Sequence, residues 1–78
     1  MNLDVILSDP DILGGTPVFQ GTRVPIDTLF MHLEKGVSVA EFLDDFPSVR
    51  HEQVVQVLAI AERMFASPNF RQLYESAA

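Results

Sequence analysis

The sequence predicts a mainly α domain, in which a three-helix bundle of the helix-turn-helix kind follows a short extended or hairpin N-terminal segment. Three observations predict it. Apolar residues recur with helical spacing after residue 25, glycine and proline are concentrated before it, and the short link 47–50 joins the second and third helices. We therefore divide one domain into an N-terminal segment, 1–25, a helical core, 26–66, and a C-terminal tail, 67–78.

Composition restricts the class of protein. The 78 residues contain no cysteine, and 11 acidic residues against five basic ones give a net charge of -6. A domain of this size buries roughly 60% of its unfolded surface, so we expect self-association to supplement its stability and predict a homo-oligomer. With no membrane-length apolar run and no signal segment, we expect a cytoplasmic protein without a membrane partner.

The glycine-rich stretch 14–25 holds three of the four glycines. We predict a hairpin whose arms are Val18-Phe19 and Arg23-Val24, with Gly21 in a left-handed conformation at the turn. Before it, the apolar triplet 5–7 predicts a short buried strand. The residues assigned to this structural motif are Gly14, Gly15, Pro17, Gly21, Thr22 and Arg23.

The first two helices have clear start and stop signals. The first is predicted over residues 25–35, with Pro25 at the first helical position and Gly36 just past the end. Ser38 and Glu41 form a capping box at the start of the second helix. That helix is expected to end at residue 45 or 46, because the following proline disfavours helical geometry.

The third helix is predicted from His51 to the Ser-Pro pair at 67–68. Arg50 is a poor N-cap, since its side chain has no acceptor. The helix is more apolar than one packing face needs, which favours a second partner. Its predicted core stripe consists of Val54, Val57, Leu58, Ala61, Met64 and Phe65.

No constellation in the sequence supports catalysis. Adjacent helical residues such as Asp44 and Asp45 point about 100° apart, so they do not share a substrate. His32 and His51 lie on different predicted helices and are interpreted as surface residues. The glycine spacing does not match a phosphate-binding loop. We therefore predict a protein that is not an enzyme and that binds no cofactor or metal.

A DNA-binding interpretation rests on the start of the third helix, where arginine and glutamine suit base edges in the major groove. Against it, the chain has no basic patch. Arg23 has three interpretations: a tie to Asp27 or a backbone carbonyl, a phosphate contact, or a bridge to a partner chain. The DNA-contact candidates are Arg50, His51, Gln53, Gln56 and Arg23.

Several blocks of the chain resemble one family. They are Ser8-Asp9-Pro10, residues 12–18, residues 21–25 with Gly-Thr-Arg, Gly36-Val37-Ser38 and residues 46–49. Together they resemble the signature of domain-of-unknown-function family 433, over about residues 5–65. The pairing of Gly-Gly-x-Pro with Gly-Thr-Arg is the specific part. At Arg50 this chain departs from the Thr or Ser that is usual in the family.

The resemblance implies a homeodomain-like fold and an antitoxin of the VapB type, which binds and neutralises a PIN-like ribonuclease toxin and binds operator DNA. In such a complex Arg71 would compete for the acidic residues that hold the toxin's metal. A stand-alone helix-turn-helix regulator is the alternative, and an interaction domain without a nucleic-acid role is a third. The toxin-contact candidates in the tail are Phe70, Arg71, Leu73 and Tyr74.

Overall fold

The computed structural model describes residues 5–67. In that part of the chain, two short strands precede three helices. The strands are β1, Ile6–Leu7, and β2, Val18–Phe19, with a 3-10 turn at Leu13–Gly15 between them. The helices are α1, Ile26–Glu34, α2, Val39–Asp45, and α3, His51–Ala66. The predicted mainly α fold with a short N-terminal hairpin is confirmed.

The two strands pair antiparallel, with Ile6 opposite Phe19 and Leu7 opposite Val18. This differs from the predicted hairpin in its second arm. Residues 23–24 form no strand, although the Phe19 amide donates to the Val24 carbonyl at 3.0 Å and Pro25 forms an isolated bridge with Val18. The predicted strand at 5–7 supplies the pairing partner of β2 instead, but only over Ile6–Leu7, and both residues are half-buried rather than buried.

The turn itself forms as predicted. The Thr22 amide donates to the Phe19 carbonyl at 3.0 Å, and Gly21 has a φ of +80°. Thr22 secures the turn with its side chain, because its Oγ1 donates to the Phe19 carbonyl at 2.8 Å and accepts from the Val24 amide at 3.0 Å. The Gly-Thr pair therefore has a backbone role and a side-chain role in the same turn.

Helix α1 starts one residue later than predicted. Pro25 is the N-cap, with an extended ψ of 141°, because it still pairs with β2. The Ile26 amide, the first of the helix, donates to the Pro17 carbonyl at 3.0 Å. Gly36, with a φ of +82°, follows the end of the helix as predicted.

Helices α2 and α3 begin differently. In α2 the Ser38 Oγ accepts from the Glu41 amide at 3.1 Å, which is one half of the predicted capping box. The return bond from the Ser38 amide to the Glu41 side chain is absent from residues 5–67. The helix ends at Asp45, with Phe46 as its C-cap, which also agrees with the prediction. Arg50 is the N-cap of α3 and supplies no side-chain bond to the helix. The bond at this helix start comes instead from Gln53, whose Oε1 accepts from the Arg50 amide.

The core lies where β2 meets the three helices. Phe19 and Phe42 are fully buried, with ring centroids 6.1 Å apart, and Phe46 packs on Phe42 at 4.9 Å. Leu29 of α1 and Val54 of α3 are also fully buried. The glycine-rich stretch thus delivers one of the two central aromatic side chains, and its turn must hold its shape for Phe19 to reach the core.

The predicted core stripe of α3 is wrong at its C-terminal end. Val54 and Val57 are buried, but Met64 and Phe65 are 62% and 65% exposed. Ile60, which is not part of the predicted stripe, is 9% exposed and belongs to the core. Among the large apolar side chains of α3, the buried ones therefore end at Ile60, and Met64 and Phe65 near the end of the helix are exposed.

Candidate functional site

Gln53 ties the start of α3 to the glycine turn. Its side chain is 3% exposed. Its Oε1 accepts from the Arg50 amide at 2.9 Å, and its Nε2 donates to the Gln20 carbonyl at 3.0 Å. One buried amide thus satisfies an unpaired N–H at the helix start and a carbonyl of a turn 33 residues earlier in the chain.

This geometry removes Gln53 from the DNA-contact candidates. A residue that reads a base edge must present its amide to the groove, whereas the Gln53 amide is buried and both of its ends are bonded. The sequence carries a signal for this role. Gln53 lies three residues after Arg50, which is the position that returns a bond to the N-cap amide in a capping box.

Arg50 and His51 are exposed at the first turn of α3. Within residues 5–67 the Arg50 guanidinium has no ion pair or hydrogen bond. Gln56 is half-buried, and its Oε1 is shielded from solvent without a hydrogen-bond partner in the described part of the chain. Of the four DNA-contact candidates at the start of α3, Arg50 and His51 have accessible side chains, Gln56 is half-buried and Gln53 is buried.

Arg23 is exposed just past the turn. The expected tie to Asp27 or to a backbone carbonyl is absent from residues 5–67, so the structural interpretation of this arginine is wrong there. Its segment lies near the start of α3, because Gln53 bonds the Gln20 carbonyl of the same turn. Arg23 and Arg50 are therefore cations without partners among residues 5–67, and the buried Gln53 side chain joins the two segments that carry them.

His32 is not the surface residue that the sequence suggested. It is half-buried, and its Nδ1 lies 2.8 Å from the Thr28 carbonyl. Its ring packs edge-on against Phe42 at 5.4 Å and against Phe46 at 5.5 Å. This histidine is a packing residue between α1 and α2, whereas His51 is exposed as predicted.

The first glycine pair forms a left-handed turn that presents an apolar side chain. Leu13, Gly14 and Gly15 all have positive φ, at 50°, 67° and 94°. The Ser8 Oγ donates to the Gly15 carbonyl, and the Thr16 Oγ1 donates to the Leu13 carbonyl at 2.9 Å. Leu13 is 51% exposed in this conformation, which leucine rarely adopts.

Neither a metal centre nor a membrane span is found in the described residues. Between residues 5 and 67, no three side chains of the histidine, cysteine and acidic types are grouped so that they could hold a metal ion. Asp44 and Asp45 are both exposed at the end of α2. No helix in the same range combines the length and the apolar character that a bilayer crossing requires.

The end of α3 exposes two adjacent large apolar side chains, Met64 and Phe65. Met64 continues the side of the helix that faces the core at Val57 and Ile60. The toxin-contact candidates Phe70, Arg71, Leu73 and Tyr74 lie outside the described residues, as does most of the tail assigned to 67–78.

These features define the class of the protein. It is a small three-helix domain that is preceded by a hairpin with a glycine turn. The chain belongs to the DUF433 family, whose description is "protein of unknown function", because the family profile matches residues 6–61. The match ends next to Ile60, the last buried residue of α3. The exposed end of the helix therefore lies beyond the part that the family profile describes.

One curated relative is the uncharacterized protein y4eO of Sinorhizobium fredii. It is 43% identical over 51 residues, which are 65% of this chain and 23% of that protein. The chain thus spans less than a quarter of the length of the relative it matches. No solved structure is significantly similar to the chain.

Proposed function

We propose that the protein is an antitoxin that binds and neutralises a PIN-like ribonuclease. The observation that carries the proposal is the exposed end of α3, where Met64 is 62% exposed on an extension of the core-facing side. A monomeric domain rarely keeps large apolar side chains together on its surface unless they bind something. The net charge of -6 adds electrostatic steering toward a basic partner.

The division within the chain supports the same proposal. The family profile ends at residue 61, and the exposed end of α3 leads directly into the tail that carries the predicted toxin contacts. An antitoxin needs a stable domain and a separate segment that engages the toxin. In residues 5–67 the last buried side chain of α3 is Ile60, and the predicted toxin contacts follow it in the sequence at positions 70–74.

The test is co-expression with the product of the adjacent gene, assayed as a PIN-like ribonuclease and scored by growth rescue and by co-purification. We expect the wild-type chain to rescue growth and to form a complex. Met64→Asp should lose both, whereas Met31→Asp, which changes a methionine 49% exposed on α1, should keep both. Absence of a complex and of growth rescue with the wild-type chain would overturn the proposal.

A second candidate function is sequence-specific DNA binding, either with the toxin or alone. It is favoured by Arg50 and Arg23, the two cations without partners in residues 5–67 that lie beside the Gln53 contact. Arg50→Ala should weaken binding to an operator fragment and reduce its salt dependence. Lys35→Ala, at the end of α1, is the matched control that should change neither.

A further inference from the structure

The outward face of α3 carries charges that have no ion-pair partner within residues 5–67. This face lies opposite Val54, Val57 and Ile60, and each of its members is exposed. Its residues, in chain order, are His51, Glu52, Val55, Ala59, Glu62 and Arg63. Val55, at 50% exposure, is the apolar residue that makes this helix more hydrophobic than its core-facing side requires.

Within residues 5–67, Glu52, Glu62 and Arg63 take part in no ion pair. Glu62 and Arg63 are neighbours in the helix, and adjacent helical residues do not face each other. Glu52 and Arg63 are separated by three turns. The two carboxylates and the guanidinium are therefore available to a partner that lies along the helix.

We propose that this face binds a second copy of the chain, with the two α3 helices packed antiparallel about a two-fold axis at the level of Val57. With this axis, a residue that lies a given number of positions before Val57 in one copy is beside the residue that lies the same number of positions after Val57 in the other copy. Val55 of one copy then lies level with Ala59 of the other, and the reverse contact is identical. A valine against an alanine lets the helices approach closely.

The same register pairs opposite charges on one edge of the contact. At about 100° per residue, Glu52 and Arg63 lie on the same edge of the outward face. Glu52 then faces Arg63 of the second copy with an offset of one residue, about 1.5 Å along the axis. The two-fold axis repeats this pair, so two ion pairs form from groups that have none in the described monomer.

The other edge is complementary as well. His51 and Glu62 share it, and the two-fold axis brings His51 level with Glu62 of the second copy to within one residue. Because both edges find partners in one register, the face favours a second copy, rather than an unrelated protein, as the occupant. A surface that is complementary to itself in this way is what a two-fold interface requires.

A contact between two single helices buries less surface than a standard interface, which buries about 800 Å² per partner. The net charge of -6 on each copy also opposes association over longer distances. We therefore expect a reversible dimer with a dissociation constant in the micromolar range, sensitive to changes at the helix edges. The inference does not depend on the antitoxin proposal, because it concerns a different side of α3.

The test is sedimentation equilibrium of the full chain from about 1 µM to 1 mM, a span chosen to bracket that range. Arg63→Glu replaces two attractive pairs with two repulsive ones and should weaken the dimer about tenfold. The double variant E52R/R63E restores opposite charges and should recover the wild-type constant. Lys35→Glu makes the same charge change away from this face and should leave association nearly unchanged.

Val55→Glu places carboxylates near the centre of the contact and should leave the chain monomeric, with its helical circular dichroism intact because residue 55 is exposed. The proposal is overturned if the wild-type chain stays monomeric at 1 mM. It is equally overturned if Arg63→Glu and Lys35→Glu weaken a dimer to the same extent, or if the double variant fails to restore it.

Discussion

The two ends of α3 differ in how they are held. The first two turns contain Gln53, bonded to a turn 33 residues away, and the fully buried Val54. The last turn contains Met64 and Phe65, both more than three-fifths exposed. One continuous helix thus has a start fixed by the domain and an end that extends from it. We infer that its start contributes stability and its end contributes binding.

Gln53→Ala should have the largest effect of the single changes considered. It removes the partner of the part-buried Gln20 carbonyl and Arg50 amide, and each lost hydrogen bond costs about 0.5–1.5 kcal/mol. Truncation of a side chain in a residue that is only 3% exposed also leaves a cavity, which adds to the loss. We expect the free energy of unfolding to fall by about 2–4 kcal/mol in a urea titration.

Gln56→Ala is the matched control, since the same side chain is removed three residues later. Its Oε1 has no hydrogen-bond partner in the described part of the chain, so little bonding is lost. We expect a change within about 1 kcal/mol. Equal losses for the two variants would show that the Gln53 contacts do not hold the start of α3.

Val54→Ala and Met64→Ala compare the two ends through apolar side chains. Val54 is fully buried, so its truncation should cost about 2 kcal/mol through lost burial and the cavity left behind. Met64 is 62% exposed, and its truncation should stay within about 0.5 kcal/mol. Thermal unfolding of both variants measures the difference. A larger loss for Met64→Ala would mean that the end of α3 is packed.

Gly21→Val tests whether the turn supports the anchored start of α3. A Cβ at Gly21 would meet no atom within 4 Å, so the cost comes from its φ of +80° alone. We expect about 1–2 kcal/mol for valine and less for asparagine, which tolerates the left-handed conformation. Melting temperatures of the two variants give the comparison. An unchanged melting temperature for Gly21→Val would contradict the structural role of this turn.

Local signals in the sequence were sufficient for much of the fold. Ser38 predicts the start of α2, and Gly36 follows α1 with the expected positive φ. Gly21 likewise marks a turn by its conformational freedom. Each of these features depends on neighbours within about four residues, so a single sequence contains the information.

The candidate site depended on distant contacts and was predicted less well. Gln53 looked like a residue that reads DNA, because the turn that accepts its amide lies 33 residues away. Helical periodicity gave the core-facing side of α3 but not the point where the domain ends, so Met64 and Phe65 were placed in the core. His32 was likewise placed at the surface, because its aromatic neighbours lie on another helix.

The most direct test of the division within α3 measures stability and partner capture on the same two variants, Gln53→Ala and Met64→Asp. The co-expressed ribonuclease is the probe. Gln53→Ala should lower the melting temperature, and it should still capture this partner at temperatures below its own melting temperature. Met64→Asp should keep the wild-type melting temperature and lose capture. The account is contradicted if Met64→Asp lowers the melting temperature as far as Gln53→Ala does, or if it still captures a partner that the wild-type chain binds.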